Sequence, residues 1–234
     1  AQAYLPTVDA AFKLLAEGTQ NVRGVDQDQV LEIRSNLAFS VHWLAPRLPA
    51  FLEANPWVNL NITTVIWPHH DPIVPNATVE VAFAEASDNY IQTGERLIED
   101  CFYPICTAER AGRLKEPADL LEERLLDVSG IVEGWDSWFR AAGLVDGVVG
   151  KRIDLASTYV VTFAMAKEGQ GVAMAHGVLA DRLLARGEMV RPFDITCPLR
   201  ESYYLMPPRD GRTNAAAEAF RVWLREEFDR LGDS

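Results

Sequence analysis

The sequence predicts an α/β chain of two lobes, and three observations carry that prediction. Segments of strand and helix character alternate with short connections over residues 30–84 and again over 125–188, the signature of parallel sheets covered by helices. The strand Val79 to Ala84 is nearly all apolar, which requires burial on both faces of a sheet. Two segments that read as long strands, Leu97 to Thr107 and Val190 to Met206, are followed by a final helix. The chain is therefore expected to leave one lobe, build a second and return. With 234 residues, 48% of them hydrophobic and 24% charged, it can bury the cores such a design needs.

At the amino end, Leu5, Val8, Phe12, Leu15, Thr19 and Val22 recur at spacings of 3, 4, 3, 4 and 3, the rhythm of a helix that pairs with another helix. The stripe is short, so it reads as the tail of a longer pairing helix; the alternative is an amphipathic helix on the chain's own core. A polar break from Asn21 to Asp28 follows. Val30 to Arg34 is then a strand, Ser35-Asn36 a turn, and a helix bears Leu44, Leu48, Phe51 and Leu52. Pro46 and Pro49 are expected to kink that helix and Asn55-Pro56 to end it. Val58 to Ile66 is a second strand. In the second half, LLDVSGI, RIDLA and VAMA are strands, and WDSWFRAAGL, STYVVTFAMAKEG and GVLADRLLARGE are helices. The last helix, Asn214 to Leu231, places Ala217, Phe220, Leu224, Phe228 and Leu231 at helical spacing.

Charge and cysteine content exclude several functions. A duplex-binding surface must neutralise phosphates, and 22 basic against 34 acidic residues, net −12, make this stretch of chain a poor candidate. Cys101, Cys106 and Cys197 form no CxxC pair and include an odd one, so reduced structural thiols are expected. No run approaches the roughly 18 to 20 apolar residues that cross a bilayer, and the start has no basic segment leading into an apolar one; a cytoplasmic protein is expected.

The stretch RSNLAFSVHWLAPRLPAFLEANPWVNLNIT resembles the opening of the effector-binding domain of LysR-type transcriptional regulators, in the glycine-cleavage-activator-like subgroup. VEVAF, LLDVSGIVEGWDSWFRAAGL, AKEGQGVAMA, VRPFD and AFRVWLREEF match further family segments in order, so the resemblance runs through nearly the whole chain. It implies a type 2 periplasmic-binding-protein-like fold, two Rossmann-like lobes joined by two crossing strands. Residues 1–23 would be the end of the linker helix, 28–97 with 204–234 lobe I, and 98–203 lobe II. It further implies a small-molecule effector in the cleft, a homodimer or homotetramer, and contact with DNA only through an amino-terminal domain outside these residues.

The candidate contacts follow from that frame. Ser35 and Asn36, with Leu37 beginning the helix, would cap a helix amino terminus whose free N–H groups suit a carboxylate. Ser157 and Thr158 would do the same from the other lobe, so a carboxylic or amino acid is expected. Ile66 and Trp67 end the second strand, where open α/β sheets bind ligands. The motif WPHHD offers His69, His70 and Asp71, but no third ligand stands at a metal-binding spacing; the histidines are placed on the rim. Glu85 and Ala86 depart from the subgroup's pattern, and Glu85 with Glu133 would favour an effector bearing an amine. His176 follows a strand as ligand donor or capping residue, and alternation turns one of Tyr203 and Tyr204 inward; Tyr204 is taken as the contact. Gly169 and Gly171 lack the third glycine of a dinucleotide loop. No cofactor, metal or catalytic group is expected. A transport solute-binding protein of the same fold is the main competing reading, and an enzyme comes third.

Overall fold

The structure is a computed structural model that describes residue 8 and residues 27–66, 79–131, 133–145, 151–208, 211 and 213–232. The amino-terminal stripe apart from Val8, and the segment Trp67 to Asp71, lie outside them. Among the described residues ten strands form two five-stranded sheets. The first contains β1 (Val30–Asn36), β2 (Asn59–Val65), β3 (Val79–Glu85), β4 (Glu95–Arg96) and β10 (Glu201–Leu205), in the order β2-β1-β3-β10-β4. The second contains β5 (Cys101–Ile105), β6 (Leu125–Val128), β7 (Ile153–Ala156), β8 (Val172–His176) and β9 (Cys197–Pro198), in the order β7-β6-β8-β5-β9.

Each sheet has a parallel triplet, β2-β1-β3 or β7-β6-β8, to which the strand adjoining a crossing adds antiparallel. The two-lobe α/β fold expected from the sequence is thus present, and the apolar run Val79 to Ala84 is buried throughout. The long crossing strands are not. The chain breaks from β structure at Leu97 to Asp100 and at Leu199-Arg200, where it passes between the sheets.

The helices are α1 (Leu48–Ala54), α2 (Ala108–Ala111), α3 (Trp135–Ala141), α4 (Tyr159–Lys167), α5 (Gly177–Ala185) and α6 (Ala215–Gly232). Before α1 the chain makes a wide π-type turn, Phe39–Leu44, closed by Ala45 N–H donating to Ser40 O at 2.9 Å. The expected kinked helix is therefore two pieces. Pro46 has no N–H to carry the ladder onward, whereas Pro49 falls in the first turn of α1, where none is needed. Asn55 ends α1 by donating its backbone N–H and its side-chain Nδ2 to Phe51 O.

One aromatic file runs through both lobes. Phe228 of α6 stacks on Trp43 at 4.4 Å, Trp43 on Phe39 at 4.9 Å, and Phe39 meets Tyr203 at 4.8 Å. Tyr203 meets Phe83 at 4.9 Å, Phe83 stacks on His176 at 5.3 Å, and His176 meets Tyr159 of α4 at 4.9 Å. The stacked members near 5 Å add to the area they bury. The lobes are also tied by Arg47 to Asp181, 2.9 Å, and by Arg182 donating to Pro46 O, 3.1 Å.

Candidate functional site

The carboxyl ends of β1, β2, β6 and β7 open on one cleft between the lobes. Asn36, Leu37, Ala38, Ile66 and Phe83 line it from the first sheet, and Val128, Ile131, Ser157, Thr158 and Tyr159 from the second. This is the position at which open α/β sheets bind ligands. The enclosed part measured by these residues is only about 20 Å3, room for a water molecule.

Two helix starts face this space. Asn36 Oδ1 accepts from Phe39 N–H at 2.7 Å, which caps the first and leaves the N–H groups of Leu37 and Ala38 at its orphaned end. Thr158 Oγ1 accepts from Val160 N–H at 3.4 Å and caps α4 beside Ser157. Ser35 is placed differently from the expectation. It is buried and its hydroxyl bonds Ser40 Oγ at 2.7 Å, so it braces the turn from within.

The remaining candidates divide. Glu133 does not bring a free negative charge: Arg200 Nε lies 2.9 Å from its carboxylate, and the Ser137 hydroxyl donates to it as well. Glu85 ends β3 and Ala86 is an exposed turn residue; neither is among the described residues that line the cleft, none of which carries a charged side chain. His176 is fully buried one layer beneath Phe83 and Tyr159, its Nδ1 2.7 Å from Asp100 Oδ2. Tyr204 packs with Ala82, Ala84, Ile91 and Met206 in a separate small core, whereas Tyr203 packs with Phe39, Phe83 and His176 below the cleft. Alternation offered both tyrosines, and only the packing chooses between them. Trp67, His69, His70 and Asp71 lie outside the described residues.

The sequence reading missed Ala38, Phe83, Val128, Ile131 and Tyr159. Val128 and Ile131 stand at the carboxyl end of a predicted strand, the same signal that pointed to Ile66. It also missed Asp127, buried beside Tyr159 and accepting from Val128 N–H at 2.8 Å; burial pushes its carboxyl up to about 6. The three cysteines are free, and burial pushes each thiol up, which removes thiolate character. Among the described residues no group of His, Cys, Asp and Glu has a metal-holding arrangement, and no helix is long and apolar enough to cross a membrane.

Comparison with known proteins agrees with this geometry. Residues 26–229 match the family model described as the LysR substrate binding domain. The transcriptional activator AmpR of Citrobacter koseri is 34% identical over 230 residues, 96% of this chain and 76% of that protein. The glycine cleavage system transcriptional activator of Escherichia coli K12 is 26% identical, over 95% of this chain and 73% of that protein. Among solved structures, the effector domain of AmpR from Pseudomonas aeruginosa superposes with a TM-score of 0.73 at 29% identity, covering 87% of this chain and 97% of that one. These relatives are transcriptional regulators and not enzymes or transport proteins, so both competing readings of the sequence are set aside. The chain belongs to the LysR family of transcriptional regulators, of which it forms the two-lobed effector-binding domain.

Proposed function

We propose that this domain senses a small polar metabolite, a carboxylic or amino acid, held between the lobes. The supporting observation is the convergence of two capped helix starts on one cleft, Asn36-Leu37-Ala38 from one lobe and Ser157-Thr158-Tyr159 from the other. Orphaned N–H groups and the hydroxyls of Ser157 and Thr158 are donors for a carboxylate. An effector held by both helix starts gains its full set of contacts only at one lobe separation, and so biases that separation. The amine preference expected from Glu85 and Glu133 loses its basis, because Arg200 neutralises Glu133.

The regulator to which this domain belongs would act in the cytoplasm and touch DNA through a domain amino-terminal to these residues, since a net charge of −12 disfavours contact by the lobes themselves. Self-association as a dimer or tetramer is supported by the sheet edges. β2 and β7 are the terminal strands of their sheets, and the exposed Ile62 and Leu155 lie on them. Ile66 and Ser157, just beyond these strands, line the same cleft, so both edges lie on one side of the molecule.

A thermal-shift panel of amino acids, small carboxylic acids and their amides tests the effector class. A ligand at 100 times its dissociation constant adds about 2.7 kcal/mol of stability. Acids that stabilise the wild type, but do not raise the midpoint of a Thr158→Val variant above its own value without ligand, which loss of the α4 cap lowers, are the expected result. Equal stabilisation by the uncharged amides would show that no carboxylate is recognised.

A further inference from the structure

A second cavity, of about 480 Å3, shares no lining residue with the cleft. Its volume falls in the range of small-molecule sites, about 300 to 1,000 Å3. It lies where both lobes meet the crossing. Ile98 stands before β5, Val178, Leu184 and Ala185 are on α5, and Leu231 is near the end of α6, so the wall is chiefly aliphatic.

The charged groups of this wall are already engaged. Asp181 is paired with Arg47 at 2.9 Å. Asp100 accepts from Cys101 N–H at 2.8 Å and from Val178 N–H at 3.2 Å, and its Oδ2 lies 2.7 Å from His176 Nδ1. A cation therefore finds no uncommitted carboxylate among the lining residues. An anion would face two carboxylates, and no basic side chain is among the described residues of the lining to hold it.

Tyr103 is the unengaged polar group. The residue is 5% exposed and lines the cavity, and its hydroxyl has no hydrogen-bond partner among the described residues. The Arg191 guanidinium covers the ring, 4.5 Å from its centroid, and is paired with Asp194, so it steadies the ring without engaging the hydroxyl. A Cβ on Gly177 would stand 3.7 Å from that hydroxyl and 2.8 Å from Asp100 Oδ1, so the glycine keeps the approach open. Burial, with Cys101 and Asp100 acting in the same direction, pushes the phenol well above its usual range, and the oxygen keeps its proton. A buried donor left unpaired costs stability, which an acceptor carried by a guest restores.

We propose that this cavity binds a small neutral aliphatic molecule with one carbonyl group, whose oxygen accepts from the Tyr103 hydroxyl while its chain lies on Ile98, Leu184 and Leu231. Bound there, it would bridge α5 of one lobe, α6 of the other and the crossing segment between them, and so bear on lobe separation through contacts that the cleft does not share.

The probes are 2-heptanone, hexanoate and n-hexylamine, titrated separately into this domain while amide shifts of Gly177, Val178 and Leu184 are followed. The ketone should saturate these shifts, and both charged probes should leave them unmoved. Tyr103→Phe should keep the wild-type unfolding midpoint, since the hydroxyl has no partner to lose, and should weaken the ketone about fivefold, the loss of one neutral hydrogen bond. Leu184→Trp should abolish binding by filling the space, and the cleft variant Thr158→Val should leave it unchanged. Hexanoate or hexylamine binding as tightly as the ketone would overturn the proposal, as would undiminished ketone affinity in Tyr103→Phe. So would ketone shifts that survive Leu184→Trp, or no saturable shift in the wild type.

Discussion

Asp127 offers a test in which sign and size both come from the structure. The side chain is 8% exposed, it accepts from the N–H groups of Val128 and Trp135, and a Cβ on Gly134 would meet its Oδ2 at 2.6 Å. Burial outweighs those two hydrogen bonds and raises the carboxyl from 3.8 to about 6. The folded state therefore holds this proton more tightly than the unfolded chain. The resulting stability is complete below pH 3.8 and is lost as pH rises through 6. Between pH 5 and 7.5 the loss for values of 3.8 and about 6 is about 1.4 kcal/mol.

Asp127→Asn cannot titrate, so this component of the pH dependence disappears. The amide retains the bond from Val128 but turns a donor or a poor acceptor toward Trp135, a cost of about 1 kcal/mol that is the same at every pH. Urea unfolding of both proteins at pH 5 and 7.5 separates the two effects. The variant should be the less stable protein at pH 5 and should recover about 1.4 kcal/mol relative to wild type at pH 7.5. A wild-type–variant difference that is the same at both pH values would refute the argument that burial governs this carboxyl.

Two further outcomes follow from the packing. Gly171→Ala should lower stability by about 1–3 kcal/mol in urea unfolding, because its Cβ would stand 2.5 Å from the Arg124 carbonyl oxygen, a backbone atom that pairs with Val172 and cannot move aside freely. Leu155→Glu, at a side chain 65% exposed on the terminal strand β7, should leave the unfolding midpoint within about 0.5 kcal/mol of wild type while shifting light-scattering mass toward monomer; unchanged mass would remove β7 from the proposed contact.

Local chemistry made much of the fold legible, and long-range partners decided the rest. Val79 to Ala84 reads as a buried strand from its own composition, and Gly143 and Gly169, both at positive φ, stand where the helix ends were expected. The cleft was legible for a similar reason, since strand ends and caps are local signals and the fold brings their carboxyl ends together. Glu133 was misjudged because Arg200, 67 positions away, supplies its countercharge. Tyr203 and Tyr204 are adjacent in one strand, and only Phe39, Phe83 and His176 on one face, and Ala82 and Ile91 on the other, tell them apart. Ser35 makes the same point at shorter range, because its partner Ser40 is reached only through a π turn that no helical periodicity announces. The charge and orientation of a cleft residue therefore depend on its partner on another element. That is why residue type alone suggested an amine in the cleft, although Arg200 supplies the countercharge to Glu133.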